Sequence, residues 1–122
     1  MLLVGLYHCP LWVSDRQIEE IIKALPEIVA QALSVPKSKE AQLNPDEIEV
    51  TVIDHGKFDR NTLHFEVTIF ANDYEARRRN LLERTEQIVD GIKKLRTSTG
   101  YTVKENESFV WILLCEGGFK MF

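Results

Sequence analysis

Apolar and polar positions alternate, then recur at helical spacing, then alternate again, and the whole pattern occurs twice. The first copy opens with a short apolar strand over Leu2 to His8. An amphipathic stretch from Asp15 to Leu33 follows, and a second strand over Glu47 to Asp54 closes the unit. The second copy predicts a strand from Leu63 to Phe70, a helix from about Tyr74 to Leu95 and a strand from Ser108 to Cys115. A period of 3.6 marks the helices and a period of 2 the strands.

Local signals support these elements. Ser14 stands where a hydroxyl can cap the amides ahead of it, and Gln17, three residues on, completes a capping box. Ile18, Ile21, Ile22, Leu25, Ile28, Val29, Ala32 and Leu33 form one stripe, with Glu19, Glu20, Lys23, Glu27 and Gln31 mostly opposite. Pro26 removes a backbone donor inside this stretch, but the stripe keeps phase across it, so a kink is expected rather than a break. Pro36 ends the helix, and Lys37 to Pro45 reads as a solvated loop. Ile48, Val50 and Val52 alternate with Glu49, Thr51 and Ile53, giving a strand with one apolar face. The connection His55 to Asn61 carries Gly, Asp and Asn for its turns and allows either a hairpin or a longer crossing. Leu63, Phe65, Val67 and Ile69 then alternate with His64, Glu66, Thr68 and Phe70.

In the second copy, Asn72 or Asp73 can cap the helix. Its stripe is Leu81, Leu82, Thr85, Ile88, Val89, Ile92 and Leu95. Gly91 costs this helix about 1 kcal/mol of propensity relative to Ala, which a close approach to the sheet would explain. Phe109 to Leu114 is almost continuously apolar, as in a strand buried on both faces, either central in a sheet or at a subunit boundary. Gly117-Gly118 allows a sharp turn. Phe119, Met121 and Phe122 then make an apolar ending expected to pack onto something, a second subunit included.

Composition narrows the function classes. A chain of 122 residues fits one domain, and 44% hydrophobic content lets it bury a core without disulfides or metals. With 19 acidic and 15 basic residues, the net charge of -4 speaks against a general nucleic-acid binder. Cys9 and Cys115 each lie at the end of a predicted strand and read as reduced apolar fillers. The apolar start is too short for a signal core and lacks a basic leader. No run reaches the roughly 18 apolar residues of a membrane span. A soluble, cytoplasmic protein with no membrane partner is expected. No metal motif, phosphate loop or nucleophile elbow occurs, so no cofactor or metal is expected.

Two consecutive β-α-β units with right-handed crossovers place four strands in one sheet and both helices on one face, an α+β fold in a single domain with pseudo-repeat halves about 1–55 and 62–116. In this the chain resembles the tautomerase superfamily, which includes oxalocrotonate tautomerases, carboxymethyl-hydroxymuconate isomerase and macrophage migration inhibitory factor. The resemblance rests on the strand that begins at residue 2, on the helix lengths, and on Gly117-Gly118 with its short apolar ending. The ferredoxin-like fold is the alternative, and strand order separates the two.

The resemblance implies a homotrimer in which the tail pairs with a neighbouring subunit, where the ferredoxin-like alternative implies a dimer. It also implies an amino-terminal proline as catalytic base, but position 2 is Leu2. Leu2 is too large for removal of Met1, so the chain is expected to keep a primary α-amine. Such an amine, with a pKa of about 7.7–8.0, is mostly charged at neutral pH, whereas a general base works best with a pKa near the working pH. Weak or absent tautomerase activity toward phenylpyruvate or hydroxymuconate is therefore expected. Three readings remain: a superfamily-like protein that binds a small carboxylate at a subunit interface, an active isomerase using another base, and a ferredoxin-like structural or protein-binding module.

Arg near a subunit interface holds the substrate carboxylate in the family, which makes Arg77, Arg78 and Arg79 candidates. The planar guanidinium suits that task, and a solvated helix face beside Glu75 and Glu83 is the plainer reading. The candidate bases are His8, His55 and Glu116. His8 adjoins Cys9 at a strand end, where a Cys–His pair could do nucleophilic chemistry, though no third orienting group can be named. Asp54-His55-Gly56 reads as an acid–base pair or as a hydrogen-bonded turn. Glu116 follows the last strand as a site or rim residue. Trp12, with Tyr7, Phe58, Trp111 and Phe119, can line an apolar pocket or simply pack. The three histidines show no metal-ligand spacing.

Overall fold

Strand β1 (Leu2–His8) runs parallel to β2 (Ile48–Asp54), and β3 (Phe65–Asn72) runs parallel to β4 (Ser108–Cys115). β1 and β3 pair antiparallel and join the two halves in the order β2-β1-β3-β4. This computed structural model describes residues 2–36, 38, 42–98, 100, 102–118, 120 and 122. Phe119 and Met121 of the expected apolar tail, and Lys37, Lys39 and Glu40 of the expected solvated loop, lie outside the described residues. In a split β-α-β arrangement, as in ferredoxin-like folds, another strand lies between the two strands that flank a helix. Here β2 bonds directly to β1 and β4 to β3, which excludes the ferredoxin-like alternative.

Helix α1 spans Asp15–Leu33, as its caps predict. Ser14 Oγ accepts from the Gln17 amide, and the Gln17 side chain accepts from the Ser14 amide. The helix continues through Pro26, and Ile18, Ile21, Leu25, Val29 and Leu33 stay buried on both sides of it.

The second helix differs from its expectation. It is broken into α2 (Glu75–Arg78) and α3 (Leu81–Lys93), and Asn80 leaves the helical region at φ -131°, ψ 38°. Neither Asn72 nor Asp73 caps it: the cap position is Tyr74, without a side-chain bond, and Asp73 binds Arg78 instead. The break lets two arginines reach the end of α1. Arg77 Nε donates to the Leu33 carbonyl at 2.9 Å, and Arg84 donates to the Ala32 and Ser34 carbonyls at 2.8 and 3.1 Å. α1 has no basic residue in its own last turn. Its orphan carbonyls and negative dipole end are thus satisfied from the other half of the chain.

One sheet face carries the core. Leu2, Val4, Leu6, Ile48, Phe65, Val67, Ile69 and Ile112 point into it, against Ile21, Leu25 and Val29 of α1 and Ile88 and Ile92 of α3. Gly91 marks a close contact, but with α1 rather than the sheet: a Cβ there would lie 2.8 Å from Ile28 Cγ2.

Among the described residues, nothing covers the opposite face. Cross-strand register aligns Leu3 with Phe70 and Phe70 with Leu113, and Trp111 neighbours Thr68. Leu3, Phe70 and Trp111 are 47%, 44% and 60% exposed. β4 is therefore an edge strand, not a central one. Its continuous apolar run reflects two apolar faces, of which this chain covers one.

Candidate functional site

The residues singled out by sequence fall at opposite ends of the sheet. His8, His55 and Trp12 lie where β1 and β2 end. Arg77, Arg78, Arg79 and Glu116 lie where β3 and β4 end, beside the start of β1. A seven-residue strand separates the ends by about 20 Å. No site within one chain combines both sets.

At the first end, the parallel register places His8 opposite Asp54. His8 is on the core face and 1% exposed. Its Nδ1 lies 2.9 Å from the Val13 carbonyl, and its Nε2 lies 2.6 Å from Asp54 Oδ1. Asp54 is largely open to solvent. Asp15, in the first turn of α1, brings a second carboxylate, so that donor atoms of His8, Asp15 and Asp54 all lie within 4.8 Å of one another. Both imidazole nitrogens of His8 therefore face partners other than Cys9.

Strand alternation turns His55 to the other face. It stacks on Tyr7 at 5.8 Å, and its Nε2 lies 3.4 Å from Glu66 Oε1 without an aligned hydrogen bond. Glu66 Oε1 accepts instead from the Leu63 amide at 2.9 Å. Asp54 and His55 thus point apart and are not a pair. The Gly56 amide donates to Asp59, which matches the turn reading. Trp12 is 61% exposed and stacks on His64 at 4.7 Å.

At the second end, the three arginines have three different environments. Arg77 is 1% exposed, donates to Leu33 and Asn72 carbonyls, and lies 4.9 Å from the Tyr74 ring centroid. Burial pushes it below the ordinary arginine value. It is not on a solvated face, and its donors are directed at main chain. Arg78 and Arg79 are exposed. Arg78 Nε bonds Asp73 Oδ1 at 2.7 Å, which holds this guanidinium above its usual range, and the Glu116 charge acts on it more weakly. Arg79 pairs with Glu75 at 3.3 Å. Glu116 lines a shallow cleft of about 330 Å³ with Leu3, Phe70, Asn72 and Cys115. Leu2 contributes its side chain to the core and is 1% exposed.

Sequence reasoning missed Asp15, the Val13 carbonyl and Arg84. The absence of a basic residue at the end of α1 was the one available hint for Arg84. A cavity of about 340 Å³ beside the end of α3, lined by Phe65, Val89, Ile92 and Phe109, includes none of the predicted site residues.

No sequence-family profile matches the chain, and no curated protein matches it in sequence. Solved structures do match in shape. Native Ps01740 aligns over 98% of this chain and 99% of its own length, at 12% identity and a TM-score of 0.59. A macrophage migration inhibitory factor-like protein from Entamoeba histolytica aligns over 98% and 93%, at 8% identity and 0.56. A fused 4-OT symmetric trimer aligns over 93% and 85%, at 8% identity and 0.51. These are tautomerase-superfamily structures, and the chain has their fold.

Proposed function

We propose that this protein is a tautomerase-superfamily homotrimer that binds a small carboxylate at a subunit boundary without proline-dependent tautomerisation. The uncovered apolar face carries the reading. Monomeric proteins rarely leave contiguous apolar patches beyond a few hundred Å² in water, and here Leu3, Phe70 and Trp111 are exposed beside Phe109 and Leu113. Among the described strands, β2 and β4 are the sheet edges, and edge strands offer backbone groups that assembly can satisfy. A symmetric trimer among the similar structures supports three copies. The cleft beside Phe70 and Glu116 opens at this face, with Arg78, which feels the Glu116 charge, as the nearest candidate cation and Arg79 the next residue along; Arg77 is committed to main chain.

The absence of proline chemistry is supported by β1 itself. None of its seven residues is proline, and Leu2 fills core space. Light scattering tests the assembly: a mass near 42 kDa, three times 14.1 kDa, is expected, and Trp111→Glu should lower it. A mass near 28 kDa or a monomer sinks the trimer. Thermal shift against keto acids and dicarboxylates tests the ligand, since a native-state ligand stabilises by RT ln(1 + [L]/Kd). Arg78→Ala or Arg79→Ala should remove that shift. Robust phenylpyruvate tautomerase activity in a clean preparation would contradict the rest.

A further inference from the structure

We propose that His8, Asp54 and Asp15 form a binding site for a divalent transition-metal ion of the zinc type, at the end of the sheet opposite the carboxylate cleft. The argument starts from hydrogen-bond capacity. A carbonyl only accepts, so the 2.9 Å contact with Val13 requires the proton on His8 Nδ1. Nε2 faces a carboxylate oxygen of Asp54, 2.6 Å away. At that distance the two groups share a proton, and a metal ion bound here would take that proton's place.

Three further features favour the metal. Metal-binding histidines usually donate their second ring N–H to a carbonyl or carboxylate, which fixes the ring and exposes the other nitrogen; Val13 does this for His8. A metal-bound imidazole gives up the proton on its ligating nitrogen, and two carboxylates beside it then carry a charge that a dication balances. Zinc with N and O ligands at about 2.0–2.1 Å and tetrahedral angles needs donor atoms about 3.3 Å apart. The three donor atoms lie within 4.8 Å of one another, and the exposed Asp54 carboxylate has to back off from its 2.6 Å contact, and Asp15 to close in, while the imidazole stays buried. The fourth position is left to solvent. An imidazole among the ligands selects zinc-like ions over magnesium or calcium. The site escapes a search for spaced motifs because strand register pairs His8 with Asp54, and the cap of α1 brings Asp15.

Calorimetric titration of the full chain with zinc chloride tests the assignment. One ion per chain is expected, with no saturable magnesium binding under the same conditions. Asp54→Asn and Asp15→Asn should each weaken zinc at least tenfold and together abolish binding, with circular dichroism showing an unchanged fold. Cobalt in place of zinc should give visible bands without a thiolate charge-transfer band, which separates this site from Cys9 or Cys115. His8→Gln should also lose binding, but the carboxylate variants carry the test because His8 is buried. No saturable zinc binding at millimolar metal, unchanged binding in the double carboxylate variant, or a thiolate spectrum would each overturn the proposal. None of these outcomes depends on the mass of the assembly.

Discussion

Arg77 holds α1 in place, and its removal should be among the most damaging single changes available. Its guanidinium donates to the Leu33 carbonyl at 2.9 Å and to the Asn72 carbonyl at 3.1 Å, joining the end of α1 to the end of β3. Arg77→Ala strands both acceptors. A buried polar group left without its partner costs about 1–3 kcal/mol, and the deleted side chain leaves a void as well. A loss of about 3–5 kcal/mol follows, a large part of the roughly 5–15 kcal/mol typical of a domain. Arg77→Lys should recover less than half, because a single ammonium replaces a planar fork that reaches two carbonyls. Arg78→Ala is the control: its pair with Asp73 is exposed on the arginine side, and solvent-screened pairs of this kind contribute little to stability. Equilibrium urea unfolding at one fixed protein concentration measures all three, since self-association would make stability concentration-dependent. If Arg77→Ala lies within about 1 kcal/mol of wild type, or matches Arg78→Ala, the bridging role assigned to Arg77 is wrong.

Gly91→Ala should destabilise the protein by about 1 kcal/mol: overpacking against the stiff Ile28 side chain costs about 1–3 kcal/mol, more than the roughly 1 kcal/mol of helix propensity gained. In an Ile28→Ala background the same change should become stabilising, and a double-mutant cycle by urea unfolding that shows no change of sign refutes the contact. Glu20 is held below its ordinary carboxylate value, chiefly by hydrogen bonds from Ser98, whose amide lies 3.2 and 3.0 Å from its two oxygens. Because the folded value is the lower one, that stabilisation is present above the unfolded value of 4.5 and is lost as pH falls through the folded one. Glu20→Gln should therefore differ from wild type at neutral pH and converge with it in acid. A difference that persists unchanged at low pH, read from thermal melts, contradicts this.

Legibility tracked the range of the determining interaction. α1 is bounded by contacts inside it, and Ser14, Gln17 and the stripe ending at Leu33 locate it to the residue. β1 and β4 also match, because their apolar runs stop at polar or turn residues. The break between α2 and α3 was not legible. It goes with Arg77 and Arg84 reaching carbonyls 44 to 52 residues away in sequence, and no periodicity encodes that. β4 was half legible: its run announced two apolar faces, but only the topology shows that it is an edge strand with one face open. The candidate site behaved like the helix break. His8, His55, Arg78 and Glu116 were visible as chemistry, while their division between two ends depends on strand direction, and the association of His8 with Asp54 and Asp15 depends on register.

The two ends bear on how one fold can host different functions. At the start of β1, where the resemblance implies a catalytic proline, the chain has Leu2 packed into the core, and the nearby cations Arg78 and Arg79 are matched by Asp73 and Glu75. At the far end, the strands deliver His8, Asp54, His55 and Glu66 within the reach of two loops and one helix start. In open α/β sheets, ligands collect at the carboxyl ends of parallel strands, because loops there can vary without disturbing the core. β1 and β2 form such a parallel pair, and the proposed metal site lies at its carboxyl end. The proposed assembly through the open sheet face rests on Leu3, Phe70 and Trp111, which are on the surface opposite His8. Substitutions that dissociate the subunits should therefore leave zinc binding intact, and substitutions at Asp54 or Asp15 should leave the mass intact. A coupled loss would mean that the two faces of the sheet act as one unit.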